Sequence, residues 1–227
     1  MRSFCLLAVT ILIAFASFGQ QQLNLKLKKE LDSIYTEDQQ YRNLLFSDQL
    51  KDKTDSIAAF YKVNKKELIN FLMLASENTD STNMVRVREI IRQYGYPGKS
   101  LVGVPANEAA FFVIQHSKNI DEYLPLIKKA AEQKELRFQL YAMMLDRSLM
   151  HSGKEQLYGT QGKGIQVTDK QTGKKIFTMI IWPIKNEKTV NALRKKAGFS
   201  ETVEENAKRL GIDYIVYTLK QVKELEQ

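Results

Sequence analysis

The chain has 227 residues, 34 Lys and Arg against 26 Asp and Glu, a formal charge of +8 and a single cysteine. A chain of about 200 residues buries a sufficient core without disulfides. The basic residues are scattered and do not alternate with aromatics, which argues against nucleic acid as a partner; the surplus reads as solubility or weak attraction to anionic surfaces.

The opening segment, MRSFCLLAVTILIAFASFGQQQ, places Arg2 ahead of an apolar run from Phe4 to Phe18, with the small residues Ser17 and Gly19 just before Gln20. That is the pattern of a secretory signal peptide over residues 1–19. The run is short for a membrane span, which needs about 20 residues. The expectation is an exported chain, periplasmic or secreted, with no stable membrane span after cleavage. Cys5 lies inside the run and not just after the cleavage point, so it marks no lipid anchor. Its loss leaves no thiol, which excludes a cysteine nucleophile or Cys-ligated zinc.

Residues 20–227 read as one mostly helical domain with a small β-hairpin near the C-terminal end. Leu27, Leu31, Ile34 and Leu45 give a helix over 23–46. Residues 57–75 give a second, in which KVNKK is a candidate interruption. Asp80, Ser81 and Thr82 are good N-caps for a third over 83–94, which Gly95-Tyr96-Pro97-Gly98 ends. Pro105 opens a helix to His116; others cover 120–133 and 135–152, and Gly153 stops the last. GIQVTDKQTGKKIFTMIIWPI then changes period and reads as two strands around DKQTG. Both faces of the second strand are apolar, so helices are expected to cover it. Helices follow over 187–197 and 201–210, and the pattern at 212–219 leaves strand and helix open.

Polar groups interrupt several apolar stripes. Arg147 continues Leu136, Leu140 and Met143; His116 continues Ala109 and Val113; Asn83 starts a stripe with Val87 and Ile90; Asp38 and Arg42 lie between Leu31, Tyr35 and Leu45. On a helical period they point inward, and a buried charge needs a partner or a wet cavity. Asp38 and Arg42 can pair one turn apart. Asp146 points elsewhere on its helix, towards a capping role, and His116 needs a hydrogen-bond partner for its ring. His151, at a helix end, is assigned no chemistry beyond the helix dipole.

DQQYR (38–42), DSTN (80–83), GYPG (95–98), VGVPANEAAFFVIQH (102–116), DR (146–147), GKEQLYGTQ (153–161) and VNALRKKAGF (190–199) together resemble an uncharacterised bacterial family, domain of unknown function 6624. Tyr96 stands where that family usually has Trp. The resemblance implies no activity. It implies that Asp38, Arg42, Asn83, Gln115, His116, Asp146, Arg147, Tyr158 and Gln161 belong together.

Two functions fit these residues. In one, the chain binds a small polar or anionic ligand or partner: Arg42 and Arg147 hold an anion, while Asn83, Gln115, Asp146, Tyr158 and Gln161 complete the site. In the other it is a hydrolase or transferase, with His116 as general base, Asp38 orienting it and Arg147 stabilising negative charge. No GxSxG elbow, HExxH, other metal-ligand spacing or glycine-rich phosphate loop is present, so no metal or other cofactor is expected. The stretch Leu157-Tyr158-Gly159-Thr160-Gln161 is expected to fold back over the end of the 135–152 helix. Tyr158 would reach a polar partner through its hydroxyl, and Gln161 would turn towards Arg147 or His116, closing a cavity shared by Arg42, Asn83, His116, Arg147 and Gln161.

Overall fold

The computed structural model describes residues 22–168 and 172–226. The expected signal peptide lies outside the described residues. The fold is mainly α with one antiparallel hairpin. Among the described residues no helix is long and apolar enough to cross a membrane.

Helix α1 (Leu25–Leu45) starts on the side chain of Asn24, which accepts from Leu27 N, and buries Leu27, Leu31, Ile34 and Asp38. Tyr35, expected on this stripe, is 40% exposed and packs edge-on against Phe112. After α2 (Gln49–Asp52) and α3 (Thr54–Tyr61), the chain breaks at KVNKK and enters α4 (Leu68–Tyr94). The expected break at 80–82 is absent, and α4 runs through it. The hydroxyls of Ser81 and Thr82 donate back to the Glu77 and Asn78 carbonyls, so they are satisfied inside the helix and cap nothing. Gly95, at φ 71°, ends α4.

A short α5 (Lys99–Val102), which the periodicity did not reveal, leads through a 3-10 turn to α6 (Ala109–His116). Helix α6 is apolar nearly all round and forms the centre of the main core. Helices α1 and α4 pack on it and on each other, and α7 (Ile120–Glu132) joins it to α8 (Phe138–His151). Helix α8 begins three residues later than expected from 135, because Lys134 turns with a positive φ of 61° and Glu135 N closes α7 on the Ala130 carbonyl.

The hairpin pairs β1 (Gly162–Thr168) with β2 (Lys175–Ile181), Ile165 facing Thr178. The expectation that helices cover both faces of β2 fails. Ile180 and Ile181 are buried, yet Ile176, Phe177 and Met179 are exposed. The hairpin docks at its root, where Trp182 donates its indole N–H to the Lys154 carbonyl past the end of α8 at 2.7 Å, and midway along β1, where the buried Ile165 packs with Val222. Helices α9 (Val190–Lys196) and α10 (Val203–Arg209) follow. The ambiguous 212–219 is neither strand nor helix until Thr218, whose capping box with Gln221 starts α11 (Leu219–Leu225).

Candidate functional site

Three helices bring the predicted polar groups together. Asp38 and Arg42 come from α1, Asp80 from α4, and Gln115 and His116 from the end of α6. Asp38 is 1% exposed, and its Oδ1 lies 3.2 Å from His116 Nδ1. Gln39 donates to the other oxygen of Asp38 at 2.6 Å. Arg42 donates from Nη1 to the Asp38 carbonyl at 2.8 Å and from Nη2 to Asp80 Oδ2 at 2.6 Å. Sequence spacing offered no metal-ligand cluster, because the ligands are far apart in the chain. The fold nevertheless sets an oxygen of Asp38, an oxygen of Asp80 and a ring nitrogen of His116 within 4.8 Å of one another.

A cavity of about 510 Å³ opens beside this cluster, lined by Arg42, Gln115, His116 and Arg147 together with Lys118, Asp121 and His151. That volume suits a small molecule. Arg147 enters from α8. It donates Nε–H to Gln161 Oε1 at 3.2 Å and Nη1–H to the Gln115 carbonyl at 3.0 Å. Both acceptors are neutral. Burial, with repulsion from Arg42 behind it, pulls the Arg147 pKa down from its ordinary value, though a guanidinium stays charged at neutral pH. A second cavity of about 600 Å³, lined by Glu77, Asp80, Arg88 and Asn119, shares His116, Ser117 and Lys118 with the first.

The loop after α8 is held by several buried side chains, Asp146 first among them. Asp146, fully buried, accepts from Leu157 N at 2.7 Å, from Tyr158 N at 3.1 Å, and from the amide and hydroxyl of Thr160 at 3.1 and 3.0 Å. Burial pushes its carboxyl up from the ordinary value, and the donors of Leu157, Thr160 and Tyr158 pull the other way. Gln156 closes the loop from the other side, accepting from Gln161 N and donating to the Gln161 and Trp182 carbonyls. Gly159 has φ 64°, and a Cβ there would sit 2.6 Å from Val203 and 2.8 Å from Ile184. Arg194, 1% exposed, donates to the Tyr158 carbonyl, and Asn206 to that of Gly159.

Of the expected site residues, Arg42, Gln115, His116 and Arg147 line the first cavity. Asp38 and Gln161 stand behind His116 and Arg147. Three others lie elsewhere. Asn83 is fully buried between helices and donates to the Ile34 carbonyl at 3.3 Å. Asp146 faces the loop, and its acceptors are used there. Tyr158 buries its ring near Phe199, and among the described residues its hydroxyl takes no hydrogen bond, so the expected polar partner is absent. Sequence reading missed Lys118, Gln156 and Arg194, and it gave Asp80 a capping role and His151 none in a cavity. Gln156 and Arg194 stand inside the motifs quoted above, which was the available signal.

No curated protein and no solved structure matches the chain. Residues 57–220 match the model described as Family of unknown function (DUF6624), a span that takes in α4 to α10 and leaves Asp38 and Arg42 ahead of it. That match covers more than half of the sequence, and the chain belongs to this family.

Proposed function

We propose that the protein is an exported binding protein whose first cavity takes a small anionic ligand, anchored by Arg147. The observation that carries this reading is the half-buried Arg147 guanidinium at the cavity wall. It has no carboxylate in ion-pair range among the described residues, and its Nη2 makes no hydrogen bond to them. A desolvated cation with only neutral partners is stabilised by an anion, and the planar guanidinium suits a carboxylate or phosphate. Lys118 adds positive charge on the same cavity; Asp121, also on its wall, accepts from the Ser148 hydroxyl, and the charge of Arg42 is taken up by Asp38 and Asp80. The test is a thermal-shift titration with inorganic phosphate and small mono- and dicarboxylates. A saturable rise in Tm that Arg147→Ala abolishes supports the reading; no rise, or an equal rise in the variant, overturns it. The apolar run before Gln20 supports export, and intact mass of the protein from its native cell checks it.

A second reading rests on the Asp38–His116 contact. With the ring proton on Nδ1 and donated to Asp38, Nε2 is left as a base at the cavity. Arg147 would then stabilise the negative charge of a bound ester or phosphoryl group. Hydrolysis of p-nitrophenyl esters or phosphates, lost in His116→Asn while phosphate binding persists, would favour this reading over simple binding.

A further inference from the structure

We infer that Asp38, Asp80 and His116 form a binding site for one divalent first-row cation that accepts mixed oxygen and imidazole ligands, Mn²⁺ or Zn²⁺. The inference goes beyond the anion site and stands on α1, α4 and α6, not on Arg147.

The geometry fits one small ion. The three donor atoms lie within 4.8 Å of one another, and the Asp38 to His116 separation is 3.2 Å. Two ligands about 2.1 Å from one metal and at roughly a right angle lie about 3 Å apart. The ligand types point to the ion. Two carboxylates favour Mn²⁺, and an imidazole favours Zn²⁺.

The charges also fit. Asp38 and Asp80 bring two negative charges to a largely buried place. Among the described residues, Arg42 is the one Lys or Arg in ion-pair range of either. One negative charge is left over when His116 is neutral. Arg42 flanks the site, its Nη1 lying 3.7 Å from Asp38 Oδ1 without donating to it. Its Nη2 holds Asp80 Oδ2 and leaves Asp80 Oδ1 buried with no hydrogen-bond partner among the described residues. In the same way Gln39 holds Asp38 Oδ2 and leaves Oδ1 towards His116. Each carboxylate thus has one oxygen held by a neighbour's N–H and a second that no Lys, Arg or amide donates to among the described residues, the division of labour that outer partners give metal ligands.

An independent observation lies one turn away on α4. Asn83 is fully buried, and its Nδ2 is bonded to the carbonyl of Ile34, one turn before Asp38 on α1. Its Oδ1 is also buried without a partner among the described residues. Unsatisfied acceptors on Asp80 and Asn83, on one face of α4, call for a donor or a cation between α1 and α4, and the Asp38 and His116 ligands beside Asp80 favour the cation. Three protein ligands leave coordination positions open. His116 borders both cavities and Asp80 the second, so a ligand in either cavity can reach the ion. In this state His116 binds through Nδ1, and its use as a base oriented by Asp38 is the competing alternative.

The test is isothermal titration of the purified chain, stripped with EDTA and held in buffer without phosphate or carboxylate, with MnCl₂ and separately with ZnCl₂. One saturable site is expected for at least one ion. Affinity should fall at least tenfold in Asp80→Asn and in His116→Gln, both checked for fold by circular dichroism. Arg147→Ala should leave it unchanged while abolishing the thermal response to phosphate, which separates failure of the cation site from failure of the anion site. No saturable uptake of either ion, or uptake that survives both Asp80→Asn and His116→Gln, overturns the inference.

Discussion

Asp146→Ala tests how far the loop that carries Gln161 depends on one carboxylate. The substitution removes an acceptor from the backbone N–H groups of Leu157, Tyr158 and Thr160 and from the Thr160 hydroxyl. A buried donor left without a partner costs about 1–3 kcal/mol. Three backbone donors would sum to several times that. Water entering the space left by the carboxylate satisfies part of the loss, so the expected destabilisation is about 3–5 kcal/mol. Urea denaturation measures it, with an unchanged slope confirming a two-state comparison. The loop then loses its register, Gln161 no longer fixes Arg147 Nε, and phosphate affinity should fall although Asp146 touches no ligand. Asp146→Asn should recover only part of the stability, because its amide keeps one acceptor and turns a donor towards the same N–H groups. A loss below about 1 kcal/mol in Asp146→Ala would refute the clamp, since that is the worth of one ordinary hydrogen bond.

Gly159→Ala forces a side chain onto a positive φ and against Val203 and Ile184, and should cost about 2–4 kcal/mol in the same assay. Arg147→Lys keeps the charge but loses the planar fork; loss of one charge-assisted hydrogen bond, about 1.5–3 kcal/mol, weakens phosphate binding by about 10–150-fold in titration. Burial, and then the charge of Glu108, raise the Tyr96 pKa well above 10.0. The folded chain therefore keeps this proton where the unfolded chain releases it, so its contribution is complete below about pH 10 and is lost as pH rises beyond. Urea midpoints from pH 8 to 11 should fall more steeply in the wild type than in Tyr96→Phe, which itself loses the hydrogen bond to the Asn107 carbonyl at about 1 kcal/mol.

Helix positions were legible where apolar spacing and punctuation agreed. Gly95 and Gly153 end helices with positive φ, and the loss of period after Gly153 marks the hairpin. The misplaced helix start has one cause: residues that serve as caps in isolation find other partners in the fold. Ser81 and Thr82 bond back along α4, and Asp80 is drawn to Arg42, so a predicted helix start became the middle of a 27-residue helix. The apolar second strand looks covered in the sequence because strand periodicity reports side-chain character and not what packs on it. Ile176, Phe177 and Met179 stay exposed although Ile180 and Ile181 on the same strand are buried.

The same limit governs the site. Helical phase says that Asp38, Asn83, His116 and Arg147 point inward; it does not say towards which neighbour. Asn83 and Asp38 lie on facing stripes of α4 and α1, yet Asn83 bonds the backbone of α1 while Asp38 turns to α6. The difference is one of reach, because a short side chain at the closest approach of two helices meets backbone before it meets a cavity. Arg42 and Arg147, with long side chains near helix ends, reach past the contact and line the cavity instead. Asp80 completes the contrast. Its place on α4 is set by helix continuity, a property of the residues before and after it, so no local pattern at DSTN could show that it faces Asp38 and His116. Assembly of the cluster thus depends on α4 remaining unbroken across 80–82, and a proline at Ser81 should disperse Asp80 from it even where α1 and α6 stay packed.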